Sequence, residues 1–304
     1  MEMKTIRIGT RDSQLALWQA HTVQSELEAL GFKTEIVSVK STGDLLLNKP
    51  LYELGITGIF TKTLDVAMIN GNVDIAVHSM KDVPTRLPKG IIQTAVLPRA
   101  NTRDILVYKE LDFLNGEGTV ATGSLRRQAQ WLNKYPTHNV TDIRGNVNTR
   151  LKKLQDNPWN AAIFAKAGLE RIEVLPENHI DLDWMIPAPA QGAMVVVTME
   201  SDSFSTEAVQ KLNHLPTEIC THVEREFLQV LEGGCTAPIG ALATIVNDNL
   251  HFEGMLLSLD GKQKMATKKT IPSKDYKGFG KACAIEILDR GGRELMVKIK
   301  KELA

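Results

Sequence analysis

The stretch I-R-I-G-T-R-D-S-Q-L-A-L-W-Q-A, residues 6–20, decides the fold class of this chain because it joins a strand, a turn and a helix. Ile6 and Ile8 alternate with a polar residue as in a short strand, and G-T-R-D-S (9–13) is a polar turn. Apolar residues then recur every three or four positions, as on one face of a helix, at Ala16, Ala20, Val23, Leu27 and Leu30. The segment therefore predicts one strand–turn–helix unit of an α/β fold.

The same order of apolar strand, polar turn and helix recurs further along the chain. The turns that follow these strands are H-S-M-K-D-V-P (78–84), T-G-S (122–124), R-G-N (144–146) and A-K-A-G (165–168). Beyond them the pattern changes to a helix at 217–231, strands at 241–246 and 251–257, and helices near 277–288 and 293–303. The recurrence predicts α/β architecture followed by a smaller α+β domain.

The composition narrows the classes of function. The 304 residues are 43% hydrophobic, which is enough for more than one domain, and the formal net charge is zero. No global charge drives the chain onto nucleic acid, so recognition by charge must be local. The opening residues M-E-M-K-T-I-R-I contain no apolar signal segment, and no apolar run is long enough to span a membrane. We therefore expect a cytoplasmic protein with neither nucleic acid nor membrane as partner.

Cysteine and histidine usage indicates neither a disulfide framework nor a metal centre. The three cysteines, Cys220, Cys235 and Cys283, lie far apart, without the close pairing of a zinc site. The seven histidines do not cluster at ligand spacing either. We expect no metal.

Basic residues are concentrated between 121 and 153. This segment contains one acidic residue, Asp142, and seven basic residues: Arg126, Arg127, Lys134, Arg144, Arg150, Lys152 and Lys153. Several lie in the first turn of a predicted helix, where the helix dipole disfavours cations. A bound anion would explain that placement, since guanidinium groups and free backbone amides both bind anions. A solvated basic face explains it equally well. Phosphate-loop and dinucleotide fingerprints are missing, which favours a polycarboxylate or phosphate ligand over a nucleotide.

Two further segments contain reactive side chains. Lys81 and Asp82 follow a strand end, where open α/β sheets place their sites, and a carboxylate there can act as a base or stabilise a cation. Position alone favours a surface pair in a turn. Cys235 follows Gly233 and Gly234, which leave a thiol accessible. A lone cysteine is more often a small buried apolar residue, and its local sequence favours that structural role.

Seven segments, taken together and in order, resemble the porphobilinogen deaminase family over most of the chain. They are 9–20, 74–84, 122–128, 144–151, 167–171, A-Q-G-A at 190–193 and L-E-G-G-C at 231–235. The resemblance implies an α/β fold with two doubly wound domains like those of periplasmic binding proteins, plus a small C-terminal α+β domain bearing the cofactor cysteine. The implied boundaries are 1–97 with 194–212, 98–193, and 213–304.

The resemblance implies a transferase that joins four porphobilinogen molecules head to tail into hydroxymethylbilane, with loss of ammonia. Its primer is a dipyrromethane cofactor, attached by a thioether to Cys235, and Asp82 is the implied catalytic carboxylate that stabilises cations on the pyrrole. Every added unit brings two carboxylate arms, so the growing chain is a polyanion that arginines can bind.

The other site residues that the resemblance implies form two sets. The cofactor-binding set is Ser79, Lys81, Thr122, Ser124, Arg126, Arg127, Arg144 and Gly145. The substrate-binding set is Arg11, Ser13, Phe60, Arg150, Arg171 and Gln191. Porphobilinogen is the implied small-molecule partner, and a monomer is the family expectation.

The sequence departs from the family pattern in two places. Thr57 and Thr63 replace a usual Lys and Glu in the glycine-rich segment 41–63, although Phe60 and Lys62 remain. Val197 replaces a Glu at the end of a strand. These changes weaken expectations about contacts of that segment and about an interdomain salt bridge. The glycines of 41–63 suggest a loop that moves, which we state as a hypothesis.

Two other classes of protein stay open. A non-catalytic anion receptor with two α/β lobes would explain the arginine-rich turns, but it needs neither Asp82 nor Cys235. A phosphoryl-transfer enzyme would need a phosphate loop, which the sequence lacks.

Overall fold

A computed structural model describes residues 4–39, 61–231 and 237–303. The strands within these ranges are Thr5–Thr10 (β1), Lys33–Ser38 (β2), Ile75–Ser79 (β3), Ile91–Val96 (β4), Asp104–Tyr108 (β5), Thr119–Ala121 (β6), Asn139–Thr141 (β7), Ala161–Ala165 (β8), His179–Asp181 (β9), Met194–Met199 (β10), Ile239–Val246 (β11), Asn249–Leu257 (β12) and Lys264–Pro272 (β13). The α-helices are Gln14–Ala29 (α1), Lys62–Ile69 (α2), Leu125–Lys134 (α3), Val147–Asp156 (α4), Lys166–Arg171 (α5), Ser203–Gln210 (α6), Leu215–Val230 (α7), Phe279–Ile287 (α8) and Arg293–Glu302 (α9).

The described chain divides into two compact units. The first comprises 4–39, 61–100 and 192–218, and the second comprises 101–191, 219–231 and 237–303. Phe60, Cys235 and most of the segment that we expect to move lie outside the described residues; Lys62 and Thr63 open α2.

The first unit is built on a mixed sheet of strand order β2-β1-β3-β10-β4. β1 runs parallel to β2 and β3, whereas β10 runs antiparallel to β3 and β4. Successive side chains of a strand point to opposite faces. Ile6 and Ile8 therefore join a core with α1 and α6, while Gly9 faces Leu64 of α2. Helices thus cover both faces of this sheet.

The second unit repeats this arrangement in a sheet of order β7-β6-β8-β5-β9. β6 runs parallel to β7 and β8, and β5 runs antiparallel to β8 and β9. In each sheet the antiparallel inner strand is the first strand after the chain passes from one unit to the other. β5 follows β4 of the first unit, and β10 follows β9 of the second. The two sheets confirm the predicted α/β class and show that it is mixed.

The second unit also contains the antiparallel sheet β11-β12-β13. Side chains of α7, α8 and α9 bury one core against it, as Val223, Cys283 and Leu295 illustrate. This confirms the predicted C-terminal α+β class. The sequence analysis missed β13 because this strand follows no clear apolar alternation. It is an edge strand with exposed lysines at 264, 268 and 269, a composition that discourages pairing with other chains.

A close helix crossing fixes α8 against α7, the helix that leads towards the cysteine segment. At Gly280 an added Cβ would lie only 2.0 Å from the backbone oxygen of Val223 and 2.9 Å from the Cβ of Glu226. A backbone oxygen cannot rotate away, so the crossing requires glycine.

We predict that Gly280→Ala lowers the free energy of unfolding by about 2 kcal/mol, because the methyl group forces the helices apart. Chemical denaturation with far-UV circular dichroism measures this change. The control is Lys281→Ala on the exposed side of the same helix, which should change stability by less than about 0.5 kcal/mol. Equal stability of the two variants would contradict the crossing.

Candidate functional site

The turn after β1 holds the first group of predicted site residues. Ser13 caps α1, and its Oγ accepts a hydrogen bond from the Ala16 amide at 3.4 Å. Just before it, the buried Thr10 hydroxyl donates to the Ala16 carbonyl at 2.9 Å. Arg11 lies between these two anchored residues and is half-buried. The junction between strand and helix therefore holds Arg11 in place.

The turn after β3 is anchored on both sides. Gln19 of α1 is buried and donates from Nε2 to the Ser79 hydroxyl at 2.8 Å. Met80 is buried, and its amide donates to the Ala193 carbonyl at 3.0 Å. A short 3-10 turn, Met80–Asp82, then presents Lys81 and Asp82, which are both half-buried. The predicted catalytic carboxylate thus follows a firmly held strand end.

His78 lies at the same strand end and was not among the predicted site residues. It is buried, and within the described part of the chain its Nε2 has no hydrogen-bond partner. Burial, together with the positive charge of Arg11, lowers the pKa of His78 to about 4. Alternation along β1 and β3 puts Arg11 and His78 on the α2 face of the sheet. The structure therefore places Arg11 and the neutral imidazole of His78, the first residue of the H-S-M-K-D turn, on the same face of the sheet.

Two turns of the second unit touch each other. At Gly123 an added Cβ would lie 2.8 Å from the Ile143 carbonyl oxygen, so only glycine permits the approach. The Thr122 amide donates to the Thr141 carbonyl at 2.8 Å, and the Ser124 amide donates to the Thr122 hydroxyl at 3.3 Å. The predicted residues of 122–124 thereby lie beside those of 144–146.

Gly145 and Asn146 shape the second of these turns. Gly145 has φ +117°, a conformation that favours glycine, and an added Cβ would meet Thr149 at 2.7 Å. Asn146 caps α4, because its side-chain oxygen accepts from the Thr149 amide at 2.9 Å. Glycine and the cap together set the direction in which α4 leaves the turn, and with it the position of Arg150.

Arg126 and Arg127 are buried around the carboxylate of Asp104 at the start of β5. Arg127 donates to Asp104 Oδ1 from Nε at 3.1 Å and from Nη2 at 2.8 Å, and its Nη1 donates to the Ile163 carbonyl at 3.0 Å. Arg126 Nη1 lies 2.7 Å from Asp104 Oδ2 and donates to the Ile186 carbonyl at 2.8 Å. Burial alone would raise the pKa of Asp104, but the two guanidinium charges hold it well below its ordinary value.

Gln191 completes this cluster. Its fully buried side chain donates from Nε2 to Asp104 Oδ1 at 2.9 Å and to the Thr102 carbonyl at 2.8 Å. We expect Gln191 to contact substrate, which stays a prediction; the hydrogen bonds found for it here hold a carboxylate and a loop. The helix dipole disfavours cations at the N-terminus of α3, and the carboxylate of Asp104 supplies one negative charge beside Arg126 and Arg127 there.

Burial affects two further arginines of the second unit, Arg144 and Arg171, and a third, Arg150, lies over an aromatic ring. Burial lowers the pKa of Arg144, with Asp142 opposing the shift, and in the described ranges its buried Nη1 has no hydrogen-bond partner. Burial also lowers the pKa of Arg171 to about 10. The guanidinium of Arg150 lies 5.5 Å from the centroid of the Phe164 ring. A carboxylate ligand would compensate the buried Nη1 of Arg144, since a buried donor without an acceptor is costly.

The two described cysteines are parts of the C-terminal core. Cys220 and Cys283 are both buried there, and burial raises the pKa of Cys283 to about 11. The Cys283 thiol therefore stays protonated and unreactive at neutral pH. Cys235 and Phe60 lie outside the described residues, so their predicted roles stay predictions.

The residues that sequence reasoning missed are Asp104, His78 and Gln19. One feature of the sequence could have indicated Asp104: it is an acid at the start of an apolar strand, D-I-L-V-Y, in a chain with a surplus of basic residues at 121–153. His78 and Gln19 left none, because a polar residue in an apolar pattern does not reveal which face it occupies.

Buried arginines and a carboxylate after a strand end define an α/β protein suited to ligands with several carboxylate groups. Among residues 4–39, 61–231 and 237–303, no helix is long and apolar enough to cross a membrane. Over those same ranges His, Cys, Asp and Glu form no group that could hold a metal ion.

Two family profiles match this chain: "Porphobilinogen deaminase, dipyromethane cofactor binding domain" at residues 6–207, and "Porphobilinogen deaminase, C-terminal domain" at residues 218–289. The chain therefore belongs to the porphobilinogen deaminase family.

Individual relatives agree with this assignment. The porphobilinogen deaminase of Chlorobium phaeobacteroides is 40% identical over 98% of this chain and 99% of its own length. The chloroplastic porphobilinogen deaminase of Oryza sativa is 44% identical over 89% of this chain and 79% of its own. That of Trichlorobacter lovleyi is 39% identical over the full length of both chains. Among solved structures, the methionine-binding protein MetQ has a TM-score of 0.46 and 11% identity over 68% of this chain and 89% of MetQ. That likeness is too distant to bear on activity.

The neutral state of His78 predicts a loss of stability in acid. Its folded pKa of about 4 lies below the ordinary imidazole value of 6.5, so between these values the unfolded chain binds a proton that the folded chain does not. This contribution is constant above pH 6.5, and stability falls as the pH drops towards 4, by up to about 3 kcal/mol.

The free energy of unfolding, measured by chemical denaturation between pH 7 and 4, should therefore depend less on pH in His78→Gln than in the parent protein. The exposed His21 provides the control, because His21→Gln should leave the pH dependence unchanged. An identical acid profile for His78→Gln would mean that His78 titrates normally.

Proposed function

We propose that this protein joins four porphobilinogen molecules head to tail into hydroxymethylbilane with release of ammonia, on a dipyrromethane primer held by a thioether to Cys235. The observation that supports this most directly is the set of buried arginines in the second unit, with Arg144 Nη1 lacking a partner among the described residues. Membership of the deaminase family supports the same reaction.

The residues present fit a dipyrromethane by the chemistry of their donors. The cofactor is a short polycarboxylate, and arginines bind carboxylates in pairs of hydrogen bonds. Arg144 is buried, and burial has already lowered its pKa. Arg126, Arg127, Thr122, Ser124 and Gly145 complete the proposed cofactor-binding set, together with Ser79 and Lys81 of the first unit. When bound, the dipyrromethane supplies the nucleophilic pyrrole carbon from which the chain grows.

Asp82 is proposed as the catalytic carboxylate. Loss of ammonia from porphobilinogen leaves positive charge on the pyrrole, and a carboxylate held beside that charge stabilises it without having to reorganise. The anchored turn after β3 supports this role, because the buried Met80 and the hydrogen-bonded Ser79 fix the backbone next to it. Lys81 adds a positive charge for the carboxylate arms of the substrate.

The other proposed roles follow the resemblance. Substrate binding is assigned to Arg11, Ser13, Arg150, Arg171, Gln191 and Phe60. We also propose the three domain boundaries 1–97 with 194–212, 98–193 and 213–304, a monomer, and a cytoplasmic location.

Cys235 is proposed as the anchor partly because the other two cysteines of the chain are unsuitable for attachment of a cofactor. Cys220 and Cys283 are buried in the C-terminal core, where a thioether to a pyrrole chain would have no room. The anchor forms once and is not a nucleophile in each turnover. Its thiol therefore needs access to solvent when the primer is attached, which Gly233 and Gly234 allow.

Intact-mass spectrometry tests the anchor. The purified protein should be heavier than its sequence by one dipyrromethane group, because the thioether survives denaturation. Cys235→Ser should have the bare sequence mass and no activity, whereas the control Cys220→Ala should keep the added mass. An added mass that persists in Cys235→Ser would contradict the assignment.

Asp82→Asn tests the carboxylate. We expect the variant to fold and keep its added mass but to turn over at least about 100-fold more slowly, because the amide cannot stabilise the cation. Hydroxymethylbilane formation and ammonia release measure this. The matched control is Asp275→Asn, which ends a similar 3-10 turn, Ser273–Asp275, on an exposed surface and should be fully active.

Near-normal turnover of Asp82→Asn would mean that another group stabilises the cation. The alternative function, a non-catalytic anion-binding protein, gives a different result throughout. It predicts saturable binding of polycarboxylates, the bare sequence mass and no release of ammonia.

A further inference from the structure

Asp104, to which the proposed reaction assigns no role, lies at the centre of a buried charge cluster. It has no exposed surface; Arg127 and Gln191 donate hydrogen bonds to its Oδ1, and Arg126 Nη1 forms an ion pair with its Oδ2, which has no hydrogen-bond partner among the described residues. The four distances to the carboxylate are between 2.7 and 3.1 Å. Hydrogen bonds between charged groups at this range are among the strongest in proteins.

The cluster has a surplus of positive charge. It contains two guanidinium groups and one carboxylate, and all three are buried. In the part of the chain that the structure describes, the buried Nε of Arg126 has no hydrogen-bond partner. One positive charge in a poorly hydrated environment thus lacks a counter-ion within the cluster, and a negatively charged ligand group would supply it.

The same contacts fix the direction of both guanidinium groups. Arg127 donates hydrogen bonds to Asp104 and to the Ile163 carbonyl, so its guanidinium plane cannot turn without breaking them. Arg126 Nη1 is held between Asp104 and the Ile186 carbonyl. Gln191 in turn holds Asp104. Side chains locked in this way keep a binding geometry that flexible arginines would have to form at a cost in entropy.

We propose that Asp104 is a positioning residue for ligand binding: it orients Arg126 and Arg127 and leaves their cluster one positive charge to bind a single carboxylate of the pyrrole chain. This inference rests on the proposed function. Asp104 itself touches no ligand and acts through the two arginines.

The substitution Asp104→Asn removes the negative charge and one acceptor oxygen of residue 104 while nearly preserving the size of its side chain. Asparagine has nearly the size of aspartate, but it has no charge and turns an N–H₂ group towards the guanidinium donors. Arg126 then faces an N–H₂ group in place of Oδ2 and can rotate, whereas Arg127 keeps only a neutral, weaker acceptor at Oδ1. Their ligands are carboxylate arms that do not react, so the loss should weaken binding more than the chemical step.

The test compares Asp104→Asn with Asp74→Asn in the full-length protein. Asp74 is the matched control because it accepts Arg7 Nη2 at 2.7 Å and Nε at 3.0 Å in an ion pair just before β3, away from the turn that follows that strand. Intact mass gives the fraction of protein that carries cofactor, and steady-state kinetics of that fraction give KM and kcat for porphobilinogen.

We expect Asp104→Asn to raise KM about tenfold, to lower the cofactor-loaded fraction, and to change kcat by less than about threefold. Asp74→Asn should lower the melting temperature and leave both binding measures unchanged, since its ion pair has only a structural role. If Asp104→Asn changes only the melting temperature, as Asp74→Asn does, the positioning role is wrong.

Gln191→Leu covers the case in which Asp104→Asn does not fold. This variant removes a donor to Asp104 without changing any charge, and it should raise KM by about threefold and also lower the cofactor-loaded fraction, which loss of a direct substrate contact would leave unchanged. An unchanged KM in a folded Gln191→Leu would overturn the proposal. A failure of the proposed function looks different, because the parent protein itself would then have the bare sequence mass and would not consume porphobilinogen.

Discussion

A single buried carboxylate, shared by two buried guanidinium groups, is the constraint on which the second unit depends. Asp104 lies at the start of β5, and Arg126 and Arg127 lie in the first turn of α3. Their attraction holds a helix N-terminus against a strand in spite of the helix dipole. Breaking such a cluster by removing one partner is far more costly than its net contribution suggests, because it strands a charge. We therefore expect substitutions at these three positions to lower stability as well as ligand binding.

The two α/β units use one architecture for different tasks. In both sheets the inner parallel strands end in polar turns, where side chains from separate strands can meet. The first unit has a neutral histidine, a half-buried Asp82 and firm anchors behind them. The second has desolvated positive charge. The proposed cation-stabilising carboxylate therefore lies in the first unit, whereas most of the arginines proposed to bind carboxylates lie in the second.

Much of this could be predicted from sequence because the signals are local. The strand–turn–helix segment at 6–20, the Ser13 cap and the glycine turn at 145 depend on neighbours a few residues away. The Asp104 cluster could not be predicted, since its partners lie 23 and 87 residues along the chain. A charge count finds the surplus of arginines but does not say which acid joins them. β13 escaped because an exposed edge strand needs little apolar alternation.

The central claim is that a pyrrole chain grows on Cys235 while the arginines of the second unit bind it. The most direct measurement is peptide mapping by mass spectrometry after the protein has reacted with limiting porphobilinogen. The account predicts a ladder of added masses, separated by one pyrrole unit each, on the peptide that contains Cys235. A ladder on a peptide containing Cys220 or Cys283, or hydroxymethylbilane formed without any protein-bound ladder, would contradict it.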